Sequence, residues 1–424
     1  MSFDKEQYID RLIDKNIGDY LETFGAVSVE GPKWCGKTWT SSKHAKSIKY
    51  LDDKETRAQA ELDLDLIFNG ETPLLIDEWH LVPEIWDKTR RKCDEDNSTG
   101  KYILTCSTSL SDEETKKIFH SGAGRIGKIK MYPMSLYESK DSTGEASIMA
   151  MYDGSQENKV VEKKNIQEIA ELIIRGGWPS NLKTNPKNYG LIPKSYIESI
   201  LDKDINDNKK RDKNKMKMLI KSLARNESTV VSNATLLNDI KENDNNENLL
   251  ESRITLEDYL DVLNRLNLLT NQESYSENYR SKERLGKSPK RHLVDPSLAA
   301  AALNLTPSKL IGDLKTFGFL FESLVERDLR IYIEHLGGHL YHFRDNVTGL
   351  EVDGILEFED GEYAAVEIKL GYNQAEEATQ NLLKFYDSMI KKPKFMCIIT
   401  SNFNAIVKDK TTGIYILPIT ALKP

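Results

Sequence analysis

The run Gly31-Pro32-Lys33-Trp34-Cys35-Gly36-Lys37-Thr38-Trp39 holds the first chemistry this chain can do. Its first eight residues read G-x-x-x-x-G-K-T. In that spacing the glycines let the backbone curl until its N–H groups face a polyphosphate. Lys37 adds a point charge for the β- and γ-phosphates, and the Thr38 hydroxyl can ligate Mg²⁺. The stretch Leu74-Leu75-Ile76-Asp77-Glu78 is an apolar strand ending in two carboxylates. Open α/β sheets place ligands at the carboxyl ends of their strands. Asp77 then belongs to the Mg²⁺ shell and Glu78 polarises an attacking water. Arg125, in the glycine-rich Ser121–Gly127 stretch, has the chemistry of an arginine finger, acting within its own subunit or on a neighbour.

A second constellation lies near the other end. Asp353 is followed by Glu367-Ile368-Lys369, the D…E-x-K spacing of restriction-endonuclease-like nucleases. Residues two apart on a strand face the same side, so Glu367 and Lys369 stand together and Asp353 meets them from the neighbouring strand. Two carboxylates can hold Mg²⁺ while Lys369 orients or deprotonates a water. Glu322, on the preceding helical stretch, is a further acidic residue for the same place.

The elements that must position these groups follow from periodicity. Ala26–Val29 alternates and is β-branched, a strand running into the phosphate loop. Residues 39–46 lack Gly and Pro and continue as helix, whose positive end faces the same anion. Residues 5–24 read as an amphipathic helix over the sheet edge, residues 47–53 as a second strand, and residues 131–138 as a closing strand and turn. In the middle of the chain, residues 216–223, 233–240 and 255–266 carry apolar stripes, the last opened by a capping box at Thr255–Asp258. Leu268-Leu269 and residues 291–295 then pair as a wing. Residues 208–217 and 279–292 each hold six basic residues and one acidic, and read as a solvated junction and a basic wing for phosphate contacts. The acidic Glu257, Asp258 and Asp261 on the third helix oppose entry into a DNA groove. Strands at 339–345, 350–356, 363–369 and 395–400, with a helix over 374–389, complete an α/β unit.

The totals narrow the class. The 424 residues suffice for two or three domains, and a formal net charge of −8 excludes a bulk nucleic-acid coat. No apolar run approaches the roughly 18 residues of a membrane span. The charged start Met1–Glu6 has no apolar signal core, and Cys35, Cys93, Cys106 and Cys397 show no metal spacing. A cytoplasmic setting is expected.

The set Gly31–Thr38, Leu74–Trp79, Ile103–Ser107, Gly124-Arg125, Tyr132–Leu136 and Arg175-Gly176-Gly177-Trp178-Pro179, in that order, resembles a family of prokaryotic AAA-type ATPases fused to a C-terminal domain of unknown function. The likeness spans nearly the whole chain. It implies an α/β fold with an N-terminal AAA-type P-loop domain over 1–205, a central winged helix over 206–305 and a restriction-endonuclease-like domain over 306–424. It implies that Thr105 or Ser107, closing the strand beside Asp77, senses the γ-phosphate. Cys106 departs from the family's usual glycine. The expected cofactors are ATP and Mg²⁺. The expected partners are DNA, through 279–292 and the C-terminal domain, and a second copy of the chain. The reading is an ATPase coupling its nucleotide state to a DNA-binding or nuclease-like module. The alternative is a nucleotide-dependent switch whose C-terminal modules bind only protein.

Overall fold

The computed structural model of the chain describes residues 6–95, 97–205, 211–242, 253–278 and 288–424. Two compact units divide it: Met1–Pro133 with Asp261–Leu268, and Met134–Leu260 with Leu269–Pro424. The first division thus falls at 133/134 rather than at the expected 205/206.

In the first unit, strands β1 (Ala26–Glu30), β2 (Ser47–Tyr50), β3 (Leu74–Asp77), β4 (Tyr102–Cys106) and β5 (Ile126–Lys130) form one sheet in the order β2-β3-β4-β1-β5. Every pairing in it is parallel. β3 and β4 are buried along their whole length, so they read as continuous apolar runs rather than alternating ones. Helix α1 (Ile13–Thr23) begins later than expected and lies on a sheet face, not an edge, with Ile17 packed among Val27, Val29, Leu75 and Ile103. The closing strand is residues 126–130, ahead of the expected 131–138. Its apolar residues are spaced by Gly127 and lysines, which hides a strand period.

The second unit is built on a nine-stranded sheet. In chain order, after β6 (Ala146–Ser147), which pairs separately with Leu422–Lys423, its strands are β7 (Lys159–Val160), β8 (Leu269–Ser274), β9 (Lys290–Leu293), β10 (His339–Arg344), β11 (Glu351–Glu357), β12 (Tyr363–Lys369), β13 (Phe395–Thr400), β14 (Ala405–Lys408) and β15 (Tyr415–Pro418). β11 runs antiparallel between β10 and β12, while β12, β13 and β15 run parallel. The helices Lys213–Arg225, Asn233–Glu242 and Arg253–Arg265 precede the antiparallel β8–β9 hairpin. This helix and hairpin order matches the expectation, but β8 also pairs in parallel with β10, so the hairpin continues the C-terminal sheet. Residues 269–274 and 290–293, assigned from sequence to the middle domain, therefore share a sheet with the C-terminal strands. The third helix starts at Arg253, so Thr255 lies inside it rather than capping it.

Charges expected on the surface are partly used inside. Arg211 is buried against Asp258 at 2.8 Å, which neutralises one of the three acidic groups on the third helix. Lys290 and His292 are buried too, and Arg291 donates to Asn233. The basic wing over 279–287 lies outside the described residues. Helix Leu314–His335 carries Arg327, buried between Asp295 at 2.8 Å and Asp328 at 2.7 Å. Asp295 accepts from the Gly177 N–H, Asp328 from the Leu136 N–H, and Gly177 O accepts from the Met134 N–H. The weakest motifs of the resemblance are therefore two turns pinned by one buried ionic network.

Candidate functional site

The carboxyl ends of β1, β3 and β4 meet at one place, where β1 feeds the phosphate loop. A Cβ on Gly31 would stand 2.2 Å from the Met131 carbonyl oxygen, so only glycine fits there. Gly36 holds φ 104°, the left-handed region that lets the loop curl into helix α2 (Lys37–His44). Lys37 is buried, and its Nζ donates to the Pro32 carbonyl at 2.9 Å. Trp34 is exposed beside it. Arg11, buried, donates to the carbonyls of Cys35 at 2.9 Å and Tyr132 at 2.8 Å, clasping the loop from outside. Nothing in its sequence neighbourhood signalled that role.

Asp77 Oδ1 accepts from Thr38 Oγ1 at 2.9 Å and from Thr105 Oγ1 at 2.5 Å. Burial pushes the Asp77 carboxyl up, the two hydroxyls oppose it, and the Glu78 charge adds to the rise. Glu78 sits at φ 55°, ψ 46°, with its N–H donated to Thr105 Oγ1 at 3.1 Å. A non-glycine residue in that region costs energy and is held by its surroundings. Its carboxylate takes the Ser107 hydroxyl at 2.8 Å and the Ser107 N–H at 3.2 Å, and lies 3.2 Å from His80 Nδ1. Burial lowers the His80 pKa, against the pull of Glu78. Thr105 thus fixes Asp77, and Ser107 fixes Glu78. Cys106 points elsewhere, to the Thr108 carbonyl, and its thiol is pushed up by burial.

The donor set fits ATP with Mg²⁺. It offers a buried ammonium on a neutral carbonyl, a glycine cradle, and a hydroxyl already paired with a carboxylate. Arg125 does not join this set within the chain. Ala26 pairs with Ile126 across β1 and β5, and Arg125 O accepts from the Ala26 N–H, so Arg125 stands at the amino edge of the sheet. The phosphate loop leaves the opposite edge, about 15 Å away at roughly 3.3 Å per residue. There Arg125 pairs with Asp94 at 2.5 Å.

The second unit brings its own charged residues together. Lys369 Nζ lies 2.7 Å from Glu367 and 3.7 Å from Asp353, as the strand period requires. Asp353 also accepts from the Ile368 N–H, and Asn381 donates to Glu367 at 2.8 Å. Lys290, which the spacing did not signal, enters from β9. Its Nζ is 2.8 Å from Glu322 and 3.5 Å from Asp353. Burial pushes Glu367 up to about 8, helped by the Asp353 charge. Burial also raises Glu322. At Asp353 the two lysines outweigh burial and lower it. Among the described residues no group of three or more His, Cys, Asp or Glu is arranged to hold a metal ion. At the expected Mg²⁺ pair, the Lys369 ammonium lies against both Asp353 and Glu367, and the Lys290 ammonium lies against Asp353 and Glu322.

Residues 23–140 match the family model described as an AAA domain. Residues 166–309 and 317–422 each match a domain of unknown function, DUF8612 and DUF4143 respectively. No curated protein is similar enough to match the chain. Among solved structures, the Walker-type ATPase of Pyrococcus abyssi is 11% identical and covers 71% of this chain and 98% of its own, at a TM-score of 0.44. The ORC2 protein of Aeropyrum pernix, solved as ADPNP-ADP complexes, is 11% identical over 73% of this chain and 98% of its own, at 0.32. The ORC1 protein of the same organism, solved with DNA, is 10% identical over 69% and 91%, at 0.27. The first unit thus carries the AAA-domain match on a five-stranded parallel sheet with a phosphate loop. Among the described residues no helix is long and apolar enough to cross a membrane.

Proposed function

We propose that this chain binds and hydrolyses ATP with Mg²⁺ in the cytoplasm, and couples its nucleotide state to a C-terminal unit that engages DNA. The observation that carries the hydrolytic part is the hydroxyl of Thr105, shared between Asp77 Oδ1 and the Glu78 N–H. It keeps the metal-side carboxylate and the base-side carboxylate in fixed relation. Bound Mg²⁺ would neutralise phosphate charge, with Thr38 and Asp77 holding it. Lys37 exchanges the Pro32 carbonyl for phosphate oxygen, and residues 31–39 line the nucleotide. Glu78, released from Ser107, accepts the proton of the attacking water. Arg125, exposed at the amino edge, is available only to another copy of the chain.

DNA coupling is supported by three helices followed by an antiparallel hairpin, the order a winged helix would have, and by the strand run β10–β13, which a restriction-endonuclease-like domain would share. Cutting is disfavoured by Lys290, whose ammonium pairs with Glu322 and Asp353. The test is phosphate release with and without DNA. A rate raised by DNA supports coupling; a rate indifferent to DNA but raised by self-association supports a switch that contacts only protein.

A further inference from the structure

The parallel strands β12 and β13 end side by side, and their carboxyl edge opens on a cleft of about 560 Å³. This is the edge where α/β sheets take ligands, and the volume is that of a small-ligand pocket. Glu322 and Lys369 line one wall, so the charged cluster faces into it. Lys315 stands exposed at its mouth, and Asn373, Gln374 and Asn402 add amide groups. The loop after β12 carries Tyr372, 47% exposed, and the loop after β13 carries Phe403. Their rings stack at 4.4 Å and 8°, and the Tyr372 N–H reaches Asn402 Oδ1 at 3.4 Å. The two loops therefore form one aromatic shelf beside a cleft lined by Lys315, Lys369 and Glu322.

We propose that this cleft binds an unpaired segment of nucleic acid without a metal ion, one base stacking on the Tyr372–Phe403 shelf and its phosphate held by Lys315 and Lys369. Stacked aromatic faces with cations along the backbone path are what single strands bind, because every base offers a π-face and duplex bases do not. The side-chain amides can meet base edges. Lys290 makes metal unnecessary by neutralising Glu322 and Asp353, which would otherwise repel a phosphate. This rests on the reading that the second unit engages nucleic acid, and it specifies the form.

The test is anisotropy of a fluorescein-labelled oligo-dT and of a duplex of equal length on the full chain, at low salt in excess EDTA. Single strand should bind at least about ten-fold tighter than duplex. Tyr372→Ala should weaken it by about 5- to 100-fold and Tyr372→Phe should restore it. Lys315→Gln should reduce the salt slope by about 0.7, one phosphate contact. Equal affinity for both forms, dependence on added metal, or an unaltered Tyr372→Ala overturns the proposal. The duplex arm keeps the readings apart: duplex binding with no oligo-dT binding overturns the cleft alone, and binding of neither overturns the nucleic-acid reading as well.

Discussion

Replacing Thr105 with valine tests the centre of the nucleotide site while keeping its shape. The methyl takes the place of a hydroxyl that donates to Asp77 Oδ1 at 2.5 Å and accepts from the Glu78 N–H at 3.1 Å. The first is a hydrogen bond to a charged group, worth about 1.5–3 kcal/mol; the second leaves a partly buried N–H without its acceptor, at about 1–3 kcal/mol. The two losses share one oxygen and do not add fully, so about 2–4 kcal/mol is expected for the first unit. At roughly 3–5 °C per kcal/mol for a unit of this size, its thermal transition should fall by about 6–20 °C. Turnover should fall by about 10- to 100-fold, since Asp77 and Glu78 lose their common anchor. Thr105→Ser, which keeps the oxygen, should recover most of both. Calorimetry and phosphate release at matched protein concentration measure them. A valine variant that melts within about 1 °C of the wild type and hydrolyses ATP normally would refute the reasoning.

Lys37→Ala should cut hydrolysis by about 100-fold or more and weaken ATP binding, read by phosphate release and calorimetric titration, while Glu78→Gln should keep binding and lose turnover. Arg125→Ala should change turnover by less than about two-fold at subunit concentrations too low for association, as an exposed ion pair at the far edge allows. A ten-fold loss there would reinstate a role inside the chain, whereas a loss only at high concentration, relieved by mixing in Glu78→Gln subunits, would show a shared site. For Glu367 the sign follows from its raised pKa. The unfolded chain ionises it near 4.5 and the folded chain near 8, so folding takes up a proton and this residue's contribution falls as pH rises between those values. The shift sets a ceiling of about 5 kcal/mol, and the lowered Asp353 offsets part of it below that window. Chemical denaturation of Glu367→Gln from pH 5 to 9 should show a flatter profile than the wild type; an identical slope would contradict the assignment.

Much of the nucleotide site was legible because its chemistry is local. A glycine loop, a hydroxyl after a lysine, and a carboxylate pair at the end of an apolar run each declare themselves within a few residues. β4 could be read the same way, and its terminal hydroxyls turned out to have two duties rather than one. Arg125 misled because its glycine setting was informative about the turn but silent about which end of the sheet the turn occupies. That end is set by the parallel register of β5 on β1, a non-local fact. Arg11 and His80 were invisible for the complementary reason: their partners are two carbonyls and a carboxylate brought near by folding, and nothing periodic marks them.

The C-terminal cluster shows the same limit in its consequences for chemistry. Period two on β12 correctly placed Glu367 and Lys369 on one face, and the antiparallel partner delivered Asp353. A spacing pattern counts the carboxylates it names and cannot count an intruding cation. Lys290 arrives by way of the β8–β9 hairpin, which read as a separate wing until its parallel pairing with β10 attached it to this sheet. One strand pairing therefore bears on both the architecture and the chemistry. It joins the hairpin to the C-terminal sheet, and it carries an ammonium into the place between Glu322 and Asp353. Lys290→Met, which empties that place with little change of volume, is the substitution that could return the site to metal binding. If Mg²⁺ or Mn²⁺ then stabilises the chain where it leaves the wild type unmoved, the ammonium is what separates this cleft from a nuclease centre. If neither chain responds, the carboxylates lack the geometry for a metal whatever stands between them.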